Sequence, residues 1–335
     1  MKSILVTGGA GFIGANFLLY FQAKYPDYRL VNFDRLTYAA DPGRLKPLEN
    51  NPNYSFVQGD VADQKAVEEV FEKFSITDVI HFAAESHVDN SIHDPGIFIE
   101  SNIKGTYTLL NIARSFWLES PGKVRAGFQS SRFHHISTDE VYGALGAEGF
   151  FTEETPYAPN SPYSASKASS DMLVRSYNRT YGLNTVITNC SNNYGPGQHK
   201  EKLIPTVIRK AIAEEPIPVY GQGLNVRDWL FVDDHCNAID LVFHAGRAGR
   251  TYNVGGDCEM RNIDLVTAIC SILDNVRPLS SGKAYAEQIA YVNDRPGHDF
   301  RYAVNFDRIN QELGWKPAMT IEAGLARTVQ WYLNQ

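Results

Sequence analysis

Short apolar runs alternate with longer segments of helical apolar spacing along the first 190 or so residues of the chain. Runs of this length are typical of strands that are buried on both faces of a parallel sheet. The segments between them, such as 15–23 and 98–117, have the spacing of helices. Because strands that alternate with helices indicate βαβ units, the predicted fold class is α/β, a doubly wound, mainly parallel sheet. The apolar runs are 4–6, 30–33, 54–57, 78–82, 135–136 and 184–188.

The turn after the first apolar run is rich in glycine. Gly9, Gly11 and Gly14 fit the GxGxxG dinucleotide fingerprint, and Gly8, Gly11 and Gly14 fit its GxxGxxG variant. Glycines at these places allow a tight turn and let the backbone approach a pyrophosphate at the N-terminus of the following helix. The strand before and the helix after supply the context that the motif requires. The pattern therefore predicts a dinucleotide site.

The second apolar run ends on Asp34, 20 residues beyond Gly14. A carboxylate at this place accepts hydrogen bonds from the adenosine ribose and repels a 2′-phosphate, which favours NAD over NADP. Arg35 keeps NADP as an alternative cofactor, because an arginine near this position can bind the 2′-phosphate. The small residues Ala83 and Ala84 follow a later strand and let a flat cofactor lie close to the chain.

Two groups of reactive side chains follow at 138–140 and 163–167. Thr138, Asp139 and Glu140 come after a strand, so they are expected at the sheet edge that faces the ligand crevice. Tyr163 and Lys167 are four residues apart and share one face of a helix. On the residues alone two interpretations stand. Either the groups form one acid–base site, or the carboxylates are turn residues and the lysine is solvated.

Composition narrows the function classes. The chain has 335 residues, of which 43% are hydrophobic and 21% charged, and this length fits two domains or one large α/β unit. A net charge of −7 argues against nucleic acid as a partner. The four cysteines lack metal-ligand spacing, so we expect reduced thiols, no metal site and a cytoplasmic protein. No apolar run approaches the roughly 20 residues of a membrane span, and the N-terminus lacks a signal-peptide pattern.

Several motifs together resemble the extended short-chain dehydrogenase/reductase superfamily, and within it the dTDP-glucose 4,6-dehydratase family. The resemblance covers nearly the whole chain. Sugar-nucleotide 4-epimerases share the Thr138 hydroxyl but lack the Asp-Glu pair. Two departures from the family pattern are Arg35, where lysine is expected, and a lengthened loop at 120–132. The motifs are Gly8-Gly9-Ala10-Gly11-Phe12-Ile13-Gly14, Ser137-Thr138-Asp139-Glu140-Val141-Tyr142-Gly143, Tyr163-Ser164-Ala165-Ser166-Lys167, Cys190-Ser191-Asn192-Asn193-Tyr194-Gly195-Pro196 and Arg295-Pro296-Gly297-His298-Asp299.

The resemblance implies NAD as cofactor and a nucleoside-diphosphate hexose, most directly dTDP-glucose, as substrate. Arg227 and Arg295 are implied diphosphate contacts, although a surface position also explains each arginine. The implied catalytic residues are Thr138, Asp139, Glu140, Tyr163 and Lys167. The implied cofactor residues are Gly8, Gly11, Phe12, Ile13, Gly14, Asp34, Arg35, Leu36, Thr37, Asp60, Val61, Phe82, Ala83, Ala84, Ser101, Tyr163, Lys167 and Asn193. The implied substrate residues are Ser86, Thr138, Asn192, Lys202, Leu203, Pro218, Tyr220, Arg227, Asn262, Arg295 and His298.

The implied reaction oxidises C4, eliminates water across C5–C6 and returns hydride to C6. Tyr163 is the base for the C4 hydroxyl, and Lys167 is expected to lower the pKa of the phenol. Thr138 binds the C4 oxygen, Glu140 removes the C5 proton and Asp139 protonates the leaving hydroxyl. The alternatives are a dehydratase for another nucleotide sugar, a 4-epimerase and a non-catalytic NAD-binding protein.

The resemblance also implies a division of the chain and a homodimer. A Rossmann NAD-binding domain comprises residues 1–189 with a return segment at about 226–254. A smaller C-terminal sugar-nucleotide-binding domain comprises 190–225 and 255–335. The dimer is expected to form through the helices that include 103–117 and 166–180.

Overall fold

Fourteen strands build the sheets of the protein in a computed structural model, which describes residues 2–294 and 298–335. The strands are β1 (Ser3–Thr7), β2 (Arg29–Asp34), β3 (Tyr54–Gln58), β4 (Asp78–His81), β5 (Leu118–Ser120), β6 (Lys123–Val124), β7 (Phe133–Thr138), β8 (Thr185–Cys190), β9 (Asn192–Tyr194), β10 (Ile217–Tyr220), β11 (Val226–Phe231), β12 (Thr251–Val254), β13 (Glu259–Arg261) and β14 (Ile289–Val292).

Helices follow most of these strands. The α-helices are α1 (Phe12–Lys24), α2 (Gln64–Phe74), α3 (Val88–His93), α4 (Pro95–Phe98), α5 (Gly105–Trp117), α6 (Pro162–Tyr181), α7 (Leu203–Ile212), α8 (Val232–Ala245), α9 (Asn262–Val276), α10 (Asp307–Leu313) and α11 (Ile321–Leu333). Short 3₁₀ segments cover Pro42–Leu48, Asp139–Tyr142 and Tyr285–Gln288, and a π-helical segment, Ile99–Lys104, joins α4 to α5.

Seven strands form one central sheet in the order β12-β8-β7-β4-β1-β2-β3. Every neighbouring pair in it is parallel, so the predicted doubly wound parallel sheet is confirmed. The strand order reverses direction at β1, which lies between β2 and β4. Ligands of such sheets bind beyond the carboxyl ends of the strands at this reversal. The topology therefore places a crevice after β1 and β4.

Helix α6 has strong signals at both ends. The Ser161 hydroxyl accepts from the backbone N–H of Ser164, and the Ser164 hydroxyl accepts from the N–H of Ser161 in return. Pro162 occupies the first turn, and Gly182 ends the helix with a φ of 71°. These signals fix where the helix begins relative to β7, and hence where the side chains of its first turns lie.

A second body of structure packs beside the central sheet. Strands β9, β11 and β13 form a three-stranded sheet, and β10 pairs with β14. Helices α7, α9 and α11 enclose a core of their own, with Ile204, Leu265, Ile269 and Leu325 fully buried. Strand β12 returns to the central sheet beside β8. The exact residues at which the two predicted domains divide remain a prediction.

The lengthened loop at 120–132 overlaps two short strands, β5 and β6. Leu118 pairs with Val124, and Gly122 adopts a φ of 76° in the turn between β5 and β6. Arg125 donates to the carbonyl oxygens of Ser115 and Leu118, which ties the hairpin to the end of α5. Strands as short as these contain too few alternating apolar and polar residues for the sequence to predict them.

Candidate active site

A cavity of about 310 Å³ opens at the carboxyl ends of the central strands. It brings together all five predicted catalytic residues, since Thr138, Asp139, Glu140, Tyr163 and Lys167 line it. The predicted cofactor and substrate residues that also line it are Gly8, Gly11, Phe12, Ile13, Gly14, Asp34, Arg35, Thr37, Asp60, Val61, Phe82, Ala83, Ala84, Ser86, Ser101, Asn192, Asn193 and Lys202.

The glycine-rich turn forms one end of the cavity. Gly8 has a φ of 71°, and a Cβ there would lie 2.5 Å from the backbone nitrogen of Ala83. A Cβ on Gly14 would lie 2.4 Å from the Gly8 carbonyl oxygen. Only glycine fits both positions, and Gly11 begins α1 without a side chain that could cap the first N–H groups. The turn therefore offers backbone donors and the positive end of a helix to an anionic group such as a pyrophosphate.

Asp34 and Arg35 line the cavity beside the glycine-rich turn. The Asp34 carboxylate accepts from the N–H groups of Ala10 and Leu36, at 2.9 and 2.8 Å. The Arg35 guanidinium donates to Asp60 at 2.9 Å and to Glu85 at 3.0 Å. Because two carboxylates already bind this guanidinium, it is not presented to a 2′-phosphate. The presence of arginine at position 35, where the family pattern has lysine, therefore does not weaken the preference for NAD that Asp34 indicates.

The Thr138-Asp139-Glu140 triplet begins the 3₁₀ segment that follows β7. The Thr138 hydroxyl accepts from the N–H of Glu140 at 3.3 Å, so the triplet also caps this segment. Asp139 is almost completely buried, and its Oδ2 has no hydrogen-bond partner among the described residues. Burial, and then the neighbouring Glu140, raise the pKa of Asp139 well above its usual range. This environment favours the protonated form of the carboxyl group, which can donate its proton.

Tyr163 and Lys167 face the cavity from α6, and both are less than a tenth exposed. The interpretation of Lys167 as a solvated surface residue is therefore wrong. Burial first, and then Glu140 and Cys190, raise the pKa of Tyr163 well above its usual range, whereas a hydrogen bond from Thr138 lowers it. The net direction differs from the prediction that Lys167 depresses this pKa, because the cost of burying a phenolate dominates.

Other predicted residues lie away from the cavity wall. Arg227 stacks on the ring of Tyr302, with its guanidinium carbon 4.4 Å from the ring centroid, and donates to the Asp299 carbonyl oxygen at 2.8 Å. His298 lies 2.6 Å from Asp294. Arg295 is outside the described residues. The remaining predictions that do not line the cavity are Leu36, Leu203, Pro218, Tyr220 and Asn262.

Some residues of the site gave no clear signal in the sequence. Glu85 lines the cavity and binds Arg35. His235 is fully buried and lies 2.8 Å from the Asn193 side-chain oxygen, which fixes the orientation of that amide. Helical spacing from Lys167 is the one sequence signal that could have pointed to the buried Asp171. Further wall residues that were not predicted are Phe33, Ala39, Ala40, Gly59, Ile136, Ser137, Cys190, Ser191, Gln198, His199 and Glu201.

Two absences among residues 2–294 and 298–335 bear on the class of site. No group of three or more His, Cys, Asp or Glu side chains within this part of the chain is placed to hold a metal ion. None of the helices there has the length and hydropathy that crossing a membrane requires.

Comparison with known proteins gives a consistent family. The family model described as GDP-mannose 4,6 dehydratase matches residues 5–328. A dTDP-glucose 4,6-dehydratase from Xanthomonas campestris is 56% identical over 100% of this chain and 94% of its own. A solved dTDP-glucose 4,6-dehydratase from Streptomyces venezuelae, with NAD and dTDP bound, is 43% identical with a TM-score of 0.90 over 99% of this chain and 97% of its own.

A more distant solved structure shares the fold. The UDP-glucose 4-epimerase of Thermotoga maritima is 25% identical, with a TM-score of 0.86 over 99% of each chain. The epimerase and the dehydratases therefore have the same architecture, and the fold alone does not separate them. Identity over the full length does: the chain belongs to the dTDP-glucose 4,6-dehydratase family, within the family that the GDP-mannose 4,6 dehydratase model describes.

Proposed function

We propose that the protein is an NAD-dependent hydro-lyase that converts dTDP-glucose into dTDP-4-keto-6-deoxyglucose and water. The observation that carries this proposal is a single cavity lined by the Tyr163 and Lys167 pair together with the buried acid Asp139 and Glu140. Tyrosine and lysine serve an oxidation at C4. The two carboxyl groups serve an elimination, which an epimerase does not perform.

The residues of the glycine-rich wall fit NAD. The N-terminus of α1 receives the pyrophosphate, and Asp34 accepts hydrogen bonds from the adenosine ribose. Lys167 and Asn193 line the same cavity as Tyr163 and would hold the nicotinamide ribose and ring. When bound, NAD supplies the acceptor for the C4 hydride, the donor that returns hydride to C6, and a positive charge close to the phenol.

Oxidation at C4 depends on Tyr163, Lys167 and Thr138. Tyr163 in its phenolate form takes the proton of the C4 hydroxyl as C4 loses its hydride. Because burial disfavours this phenolate, the charged Lys167 and the Thr138 hydroxyl must offset that cost by electrostatic attraction and hydrogen bonding. Thr138 also binds the C4 oxygen and fixes it beside the phenol.

Elimination of water depends on Glu140 and Asp139. Once C4 is a ketone, the C5 proton becomes acidic and Glu140 removes it. Asp139 gives its proton to the C6 oxygen, so that the C6–O bond breaks and water leaves. Hydride then returns to C6, and Glu140 gives its proton back to C5. Atoms balance as loss of one water, with no net oxidation, once the proton that Tyr163 took from the C4 hydroxyl replaces the one that Asp139 lost.

Binding of the nucleotide sugar involves both bodies of the structure. We assign the sugar to Ser86, Asn192 and the catalytic triplet, since Asn192 lines the cavity with a buried side-chain oxygen that lacks a partner among the described residues. Lys202 approaches the same wall and donates to the Ser86 carbonyl oxygen at 3.2 Å. The assignment for the nucleoside and diphosphate comprises Leu203, Pro218, Tyr220, Arg227, Asn262, Arg295 and His298.

The chain divides into a part for each ligand. We assign residues 1–189 and about 226–254 to NAD binding, and 190–225 and 255–335 to the sugar nucleotide. We also place the protein in the cytoplasm, because its four cysteines are free thiols. Fractionation of the source cells would test this location, and recovery of the protein outside the cytoplasm would contradict it.

An isotope experiment tests the proposed reaction. dTDP-glucose that carries deuterium at C4 is incubated with the protein, and the product is examined by mass spectrometry and NMR. We expect a 4-keto-6-deoxy sugar with the deuterium at C6. Deuterium retained at C4 with inversion of that centre would show an epimerase, and turnover of another nucleoside-diphosphate hexose in preference would change the substrate.

Asp34 provides a test of cofactor choice. Replacement of Asp34 with alanine should weaken NAD binding, because charge-assisted hydrogen bonds to the ribose contribute roughly 1.5–3 kcal/mol each. The measurement is a fluorescence titration of the purified protein with NAD and with NADP. Asp34→Asn is the control, since it keeps the side-chain shape and removes only the charge. A preference of the unaltered protein for NADP would refute the Asp34 argument.

Exposed apolar side chains on neighbouring helices support the homodimer. Tyr107 on α5 is 48% exposed and Met172 on α6 is 59% exposed, and the two helices pack side by side. Replacing both residues with lysine should give one chain's mass, 37.4 kDa, by light scattering, where the unaltered protein should give twice that mass. Tyr291→Lys, at another exposed aromatic, should leave the dimer intact. An unaltered protein with the mass of one chain would contradict the proposal.

A further inference from the structure

A buried polar cluster lies next to Lys167, and Ser137 is its one member that also lines the cavity. It comprises His135, Ser137, Tyr157 and Asp171, and we call it the Asp171 cluster. Asp171 follows Lys167 by four residues, as Lys167 follows Tyr163, so the three side chains form one stripe along α6. Asp171 is 2% exposed and does not line the cavity. A carboxyl group is rarely buried so fully unless it is paired.

The cluster connects Asp171 to the lysine ammonium. Lys167 Nζ donates to the Ile136 carbonyl oxygen at 2.8 Å and lies 3.3 Å from His135 Nε2. The same His135 nitrogen lies 3.3 Å from Asp171 Oδ1. Asp171 Oδ2 accepts hydrogen bonds from the hydroxyls of Ser137 and Tyr157, both at 2.9 Å. Two hydroxyls, one on β7 and one in the segment before α6, therefore hold the carboxylate in one orientation, and its Oδ1 has no hydrogen-bond partner among the described residues.

The charges around the ammonium depend on this carboxylate. Burial lowers the pKa of Lys167 to about 8, and Asp171 is the acid that opposes this effect. The pKa of Asp171 is raised by burial to about 6, so it is ionised at neutral pH. Among the described groups that face Lys167, the others are neutral at that pH: burial lowers the pKa of His81 and His135 and raises that of Tyr163 and Cys190.

We propose that Asp171 is a positioning residue that keeps Lys167 charged and directs its ammonium towards Tyr163 and the cofactor wall. This role rests on the proposed function, in which the phenolate of Tyr163 needs a cationic neighbour. Because Asp171 touches neither substrate nor cofactor, it acts through Lys167 alone. The sequence Tyr-x-x-x-Lys-x-x-x-Asp in this chain thus extends the reactive pair by one helical turn.

The proposal predicts how the pH profile moves. Activity requires Lys167 to be charged and Tyr163 to be ionised, and the positive charge of bound NAD favours the ionised phenol. Replacing Asp171 with asparagine removes the anion that opposes the effect of burial on Lys167, so the pKa of Lys167 falls below about 8. The alkaline limb of kcat should therefore move down by about one pH unit or more. Turnover at about pH 8 should fall about fivefold or more, with little change in KM.

The experiment compares Asp171→Asn with Asp78→Asn in the NAD-loaded protein. Asp78 is an equally buried acid paired with Lys2 at the opposite end of the sheet, so its variant controls for the loss of a buried carboxylate. Besides kcat across pH, the phenolate absorbance of Tyr163 is titrated as the difference from a Tyr163→Phe background. This titration uses no sugar, so it tests Asp171 even if the proposed reaction fails.

Two further variants keep the test decisive. If Asp171→Asn does not fold, Tyr157→Phe removes one hydrogen bond to the carboxylate and should move the alkaline limb in the same direction by less. Asp171→Glu restores a negative charge and should recover part of the shift. The proposal is overturned if Asp171→Asn, or Tyr157→Phe in its place, reduces stability as Asp78→Asn does but leaves the alkaline limb and the phenolate titration unmoved.

Discussion

Replacing Tyr163 with phenylalanine should lower turnover by about 10²–10⁴-fold while nucleotide-sugar binding changes by no more than a few-fold. The phenol is the base for the C4 hydroxyl in the proposed reaction, and the cavity offers no second phenol, since Tyr163 is the one tyrosine among its described wall residues. Phenylalanine keeps the ring, which is 8% exposed, and so preserves the packing of α6. Steady-state kinetics and a titration with dTDP-glucose measure the two effects separately.

Tyr252→Phe is the matched control for this substitution. Tyr252 is fully buried in β12, and its hydroxyl donates to Glu312 at 2.8 Å and accepts from the Arg247 N–H, away from the cavity. Loss of these two hydrogen bonds should lower stability by roughly 1–3 kcal/mol and leave turnover near normal. Equal turnover of the Tyr163→Phe and Tyr252→Phe proteins would remove Tyr163 from the mechanism.

The position of the site was predictable because it follows from local pattern and sheet topology. Several strands end on a residue of the site, as β2 ends on Asp34 and β7 ends on Thr138. In a parallel sheet all of these ends meet at one edge. Tyr163 and Lys167 were predictable for a related reason, since a helix brings positions four apart onto one face.

Contacts between distant parts of the chain were not predictable in the same way. Arg35 looked like a possible partner for a 2′-phosphate, but Asp60 and Glu85 bind its guanidinium from loops 25 and 50 residues further on. Nothing near Arg35 in the sequence announces either carboxylate. Such a pairing depends on how the strands are ordered in the sheet, because that order brings the ends of β2, β3 and β4 together.

The electrostatic environment of the site residues could not be predicted from the sequence either. The prediction that Lys167 lowers the pKa of Tyr163 considered one neighbouring charge and not burial, which acts in the opposite direction and is larger. Burial also explains why Asp171 was not predicted, although its helical spacing from Lys167 is evident in the sequence. A carboxylate at that spacing is usually solvated, and only its burial against His135, Ser137 and Tyr157 gives it a partner role.

The double replacement of Asp139 with asparagine and Glu140 with glutamine should separate oxidation from dehydration. Both carboxyl groups are needed only after C4 has become a ketone, whereas Tyr163 and Lys167 act before that point. The amides preserve the shape of the triplet but can neither remove the C5 proton nor protonate the C6 oxygen. Each acid–base group typically contributes about 10²–10⁴-fold, and paired groups are seldom additive.

The expected result is therefore a reaction that begins and then stops. On mixing with dTDP-glucose, the double variant should show the near-ultraviolet absorbance of reduced nicotinamide, which persists instead of decaying. Mass spectrometry of the bound sugar should find a 4-keto hexose that keeps its C6 oxygen. This sugar has lost two hydrogens from dTDP-glucose, one of them as the hydride that is still on the cofactor, whereas the normal product has lost one water. Asp139→Asn alone should also stall, because the buried acid at that position is the proton source for the leaving hydroxyl. Release of 6-deoxy product by the double variant at the normal rate would show that the two carboxyl groups have no catalytic role.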